Sequence, residues 1–98
     1  MVRIVMMTFP MTSVGETAER FEKLPQPPDS ITMRGPWVSG KAEERVRTCT
    51  LFEFENEKQN EASEYLKKRY DSFLGVPDVT ISIEEWVDVK EALEILTP

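Results

Sequence analysis

Between Val46 and Glu55 apolar and polar positions alternate strictly enough to give a strand two different faces. Val46, Thr48, Thr50, Phe52 and Phe54 fall on one side, and Arg47, Cys49, Leu51, Glu53 and Glu55 on the other. Val79, Ile81 and Ile83 alternate with Thr80, Ser82 and Glu84 in a second run that continues to Trp86. Val2–Phe9 is apolar on both parities, with Ile4 and Met6 facing one way and Val5, Met7 and Phe9 the other, as a central strand buried on both sides would be. Ile31–Val38 reads as a further strand. Its Gly35-Pro36 step places it at an edge or at a bulge, because proline donates nothing to a ladder.

Helical spacing appears in three other stretches. Ser13 and Glu16 have the form of a capping box ahead of Val14, Ala18, Phe21 and Leu24, and Pro25, Pro27 and Pro28 end that helix. Asn56 with Gln59 predicts the start of a second helix. Its inner positions are Ala62, Tyr65, Leu66, the stem of Arg69, Tyr70 and Phe73, and Gly75-Val76-Pro77 closes it. Asp88 and Glu91 cap a last short helix with Val89, Ala92, Leu93 and Leu96 on its apolar side. Ser39–Arg45 is a polar loop.

The predicted order is β-α-β-β-α-β followed by a C-terminal helix. That is the ferredoxin-like split βαβ plan: α+β, one domain over residues 1–98, a four-stranded antiparallel sheet and two helices on one face. Phe52, Phe54, Val79, Ile81 and Ile83 supply the surface both helices need. The other face then holds Cys49, Leu51, Glu53, Trp86 and one parity of the first strand. An apolar patch of this kind is uncommon on a monomer, so a second copy of the chain is expected to cover it.

Composition narrows the chemistry. The chain has 98 residues, a formal charge of −6, no histidine and one cysteine. The lack of histidine removes the commonest general base and the usual zinc and haem ligand, so neither a Ser-His-Asp nor a Cys-His pair can be built. Neither metal nor cofactor is expected. An acidic domain is repelled by phosphate backbones, which argues against nucleic acid as a partner. Val2–Phe9 is too short to span a bilayer and no secretory signal is recognisable, so the expectation is a cytosolic protein without a membrane partner.

Two known groups share the plan. "RTCTLFEF" has the outline of the third-strand signature of RNA-recognition motifs, but the base-stacking aromatics become Cys49 and Leu51 and the glycines become Thr48 and Thr50. The whole chain instead resembles small stand-alone dimeric α+β-barrel proteins, a group that includes antibiotic-biosynthesis-monooxygenase-like domains. The resemblance is carried by "PPDSITMRGPW" with Gly35 and Trp37, by "FEFEN" in the third strand and by the C-terminal "VKEALEIL". It implies a homodimer whose sheets face one another. Haem-degrading and chlorite-dismutase-like members are disfavoured, since their ligating histidine has no counterpart here.

Trp37, Arg47, Cys49, Leu51, Glu53 and Trp86 are accordingly the candidate ligand-pocket residues. Each also has a structural role to offer. Tryptophans anchor cores and interfaces; Glu53 would pair with Arg34 or Arg47; Cys49 packs as a small apolar group. No acid–base constellation assembles from the sequence, and no catalytic residue is assigned. The leading expectation is a metal-free homodimer that binds a small organic ligand against its sheet. A cofactor-independent monooxygenase- or isomerase-like enzyme, using Glu53, an arginine, Tyr65 or Tyr70, is one alternative. A non-catalytic effector-sensing or protein-interaction module is the other.

Overall fold

The computed structural model describes residues 1–39 and 45–97; most of the predicted 39–45 loop lies outside the described residues. β1 (Val2–Pro10) runs centrally between β3 (Arg45–Glu53) and β4 (Thr80–Trp86), and β2 (Thr32–Ser39) pairs with the far side of β3. All pairings are antiparallel, in the order β2-β3-β1-β4. Val5 stands between Thr50 and Ile83, and Met7 between Thr48 and Ile81. The odd-numbered parity of β1 is therefore the inner one, and Val5, Met7 and Phe9 are buried while Ile4 and Met6 are only half-buried. The strand is central in the sheet but covered by helices on one side only.

α1 (Val14–Glu22) and α2 (Gln59–Asp71) share the inner face. Every inner position predicted for α2 is buried: Ala62, Tyr65, Leu66, Arg69 and Tyr70 within the helix, and Phe73 just after it. Phe52, with no exposed surface, stands edge-on to Tyr65 at 6.2 Å and to Tyr70 at 6.4 Å, and Phe21 of α1 meets Phe73 at 5.1 Å. Arg20 ties the helices together. Its guanidinium donates to the carbonyls of Ser72 (2.9 Å) and Leu74 (2.7 Å), satisfying acceptors that the end of α2 leaves unpaired.

Several local expectations are corrected. The capping box at Ser13 does not form, because Met11–Ser13 is a 3₁₀ turn and the Ser13 hydroxyl donates to the Pro77 carbonyl at 3.0 Å. Glu16 pairs with Arg20 instead. The inner side of α1 is carried by buried Thr17 and half-buried Phe21, continued by Leu24 just beyond the helix; Val14 and Ala18 face outward. Asn56 likewise opens a 3₁₀ turn, Asn56–Lys58, without a side-chain cap. Ile83 is 50% exposed rather than core, since α2 stops short of the β4 edge and leaves a hollow of about 470 Å³ over Ile81 and Ile83. The cap of α3 (Val89–Leu96) forms as expected: Asp88 Oδ1 accepts from the Glu91 amide at 2.8 Å.

Burial of α2 has a consequence for pH. Desolvation beneath the helix raises the Tyr70 phenol above its ordinary value of 10.0, outweighing the opposing contribution of Arg69. The folded state therefore favours the neutral phenol. Its contribution is intact below pH 10 and is lost as pH rises from there through the raised folded value. Urea unfolding followed at pH 9 and pH 11 should show a drop in stability that Tyr70→Phe reduces. An equal drop in both proteins would contradict the assignment.

Candidate functional site: the open face of the sheet

Among the described residues the helices leave one face of the sheet bare, and the register decides which side chains stand on it. Row by row, Val2 lies between Glu53 and Trp86, Ile4 between Leu51 and Glu84, Met6 between Cys49 and Ser82, and Thr8 between Arg47 and Thr80. β2 extends these rows with Thr32 beside Glu53, Arg34 beside Leu51, Trp37 beside Cys49 and Ser39 beside Arg47.

Trp37 reaches this face through a bulge. Arg34 pairs with Leu51 and Trp37 with Cys49, so three steps along β2 match two along β3. Without the extra residue, position 36 would oppose Cys49 and Trp37 would turn to the helix side. Gly35 makes this possible: its φ is +92°, and a Cβ there would lie 2.9 Å from the Cys49 carbonyl oxygen and 2.9 Å from the Trp37 ring.

All six candidate residues thus share one face, although they do not converge on one point. Trp37 and Trp86 are each 55% exposed and belong to opposite edge strands, with two strands between them. Cys49, Leu51 and Glu53 run along β3 between them and are half-buried, while Arg47 is exposed. Glu53 pairs with Arg34 at 3.5 Å, on the neighbouring strand, so its carboxylate is engaged. The Trp86 indole N–H donates to Glu84 at 3.1 Å. The centre of the face is apolar: Ile4, Met6, Cys49 and Leu51 in two adjacent rows. At the Glu53 end a hollow of about 510 Å³ opens among Val2, Ser30, Thr32, Glu53 and Asp88.

Tyr65 and Tyr70 lie on the other side of the sheet. The Tyr65 hydroxyl donates to the Pro25 carbonyl at 2.8 Å, and both rings are buried against Phe52. They do not reach the open face. Two contributors escaped the residue pattern: the Ile4/Met6 parity of β1, decided only by pairing, and the Glu84 carboxylate beside Trp86. The alternation of β4, with Glu84 on the same parity as Trp86, was the signal for the second.

No protein-family model matches the chain, and no curated protein matches it. Among solved structures, an aminopeptidase PepT from Bacillus cereus ATCC 10987 is similar at a TM-score of 0.42 and 12% identity, over 96% of this chain and 33% of that one. The chain thus spans about a third of that structure's length. Among the described residues, no group of three or more cysteine, aspartate or glutamate side chains is placed to hold a metal ion, and no helix is long and apolar enough to cross a membrane.

Proposed function

We propose that the chain is a ferredoxin-like subunit of a homodimer in which two open sheet faces enclose a site for a small organic ligand, bound without a metal. The observation that carries this reading is the bare face itself: an apolar centre of Ile4, Met6 and Leu51, flanked by two half-exposed tryptophans. The strand order and the two helices on a single face agree with the subunit fold. Aromatic walls, an apolar floor and a few polar groups are what small-molecule sites use. Binding rather than turnover is the better-supported reading. Glu53 is held by Arg34, and the tyrosines lie behind the sheet.

Leu51→Asp tests the dimer. The substitution sets a carboxylate in the middle of the face, away from the inner core, so circular dichroism should be unchanged. Light scattering should give wild type near twice the 11.3 kDa chain mass and the variant near the chain mass itself. A tenfold or greater rise in dimer Kd, about 1.4 kcal/mol or more, is expected. A monomeric wild type at high micromolar concentration overturns the reading. Native mass spectrometry of the purified dimer should also carry a small-molecule adduct that the variant lacks.

A further inference from the structure

Helix α3 is turned the wrong way round for its own subunit. Its apolar positions fall within an arc of roughly 160°, yet Val89 is 75% exposed, Leu93 58%, Ile95 69% and Leu96 78%. The polar side instead lines a hollow of about 310 Å³ with Asp88, Glu91 and Glu94 opposite Glu55 and Glu57. Of the charged side chains lining that gap five are carboxylates and one, Lys90, is a cation, so the excess of like charge opposes a closer approach of the helix to its own chain.

We infer that α3 of each subunit seats its apolar face on the open sheet of a second copy, over the row Trp37–Cys49–Met6. The inference rests on the homodimer proposed above and names the element that clasps it. Area favours it. The four exposed α3 side chains present on the order of 450 Å² of surface, and half-exposed Trp37 is the largest piece of the sheet patch, whereas a stable interface takes about 800 Å² from each partner. Neither patch suffices alone; a two-fold arrangement buries both at once, helix on sheet and sheet under helix.

Size and charge agree. An eight-residue helix is about 12 Å long, and four strands span about 14 Å, so the clasp crosses the middle of a face some 30 Å long and leaves its Val2–Glu53 end for a ligand. The Trp37–Cys49–Met6 row is apolar across three strands. Arg47, one row further on, offers Glu94 a charge opposite to that of the acidic residues beside it in its own chain.

Cys49, the sole cysteine, makes a direct test possible. In Leu93→Cys, mild oxidation should link the introduced thiol to Cys49 of the other chain. The product should be a covalent dimer on non-reducing gels, with the 49–93 linkage identified by peptide mass spectrometry and abolished by adding Cys49→Ser. In parallel, Leu93→Asp with Leu96→Asp should weaken the dimer at least tenfold in sedimentation while leaving circular dichroism unchanged. A 49–93 link within one chain would mean that α3 folds back on its own sheet, which overturns the inference. A dimer that persists without that link and ignores the aspartates overturns the clasp but leaves the sheet-to-sheet dimer standing. A monomeric wild type overturns both.

Discussion

Phe52→Ala should remove about 3–5 kcal/mol of stability, the range for deleting a fully buried aromatic ring. Phe52 sits where β3, α2 and the Arg69 side chain meet. It has no exposed surface, two edge-on aromatic neighbours and the Arg69 guanidinium 5.6 Å above its ring. That guanidinium is itself buried, donates to the Tyr65 hydroxyl at 3.3 Å and leaves Nε without a partner among the described residues. Removing the ring takes away the surface that compensates the buried cation as well as the packing. A domain of this size is held by about 5–15 kcal/mol in all, so the variant should be partly unfolded at 37 °C. Urea unfolding at a fixed protein concentration measures the loss. A change below about 1 kcal/mol would mean that Phe52 is not the centre of the core.

Gly35→Ala should cost about 2–4 kcal/mol, combining a left-handed backbone conformation that alanine resists with the close approach of its Cβ to the Cys49 carbonyl. The carbonyl belongs to the β3 backbone and cannot retreat without loosening the β2–β3 ladder. Trp37 should move with it, because the bulge alone holds its ring on the open face. The expected signs are a lower urea midpoint, altered tryptophan fluorescence and amide shifts confined to Arg34, Trp37 and Cys49. Stability within 0.5 kcal/mol of wild type, with an unchanged spectrum, would show that the bulge tolerates a side chain and that Trp37 is placed by something else. The same substitution should weaken the proposed dimer, which separates it from Phe52→Ala, whose damage lies behind the sheet.

The residue pattern of α2 and β3 carried its own answer. Ala62, Tyr65, Leu66, Arg69, Tyr70 and Phe73 repeat at helical spacing, and the alternation in β3 separates Thr48, Thr50 and Phe52 from Cys49, Leu51 and Glu53; burial follows both patterns. The two helix starts depart from their sequence patterns for a shared reason. A serine or asparagine before an apolar run predicts a cap only if its side chain has no better partner and the backbone enters the helix directly. Here 3₁₀ turns intervene, and the Ser13 hydroxyl reaches a carbonyl 64 residues away in sequence.

What the sequence by itself determined is local: strand or helix, inner or outer parity where the two faces differ in polarity, and an edge strand interrupted at Gly35-Pro36. These follow from periodicity and from the special chemistry of glycine and proline, and both are readable without neighbours. Only the tertiary structure decided the rest. β1 is apolar on both parities, so pairing with β3 and β4 alone could assign Ile4 and Met6 to the open face. Trp37 changes face with a single inserted residue, a matter of register rather than of residue type. And α3, amphipathic as predicted, turns its apolar side away from its own chain. A hydrophobic stripe records that a helix needs a partner, but the identity of that partner depends on which surface remains uncovered once every other element has packed.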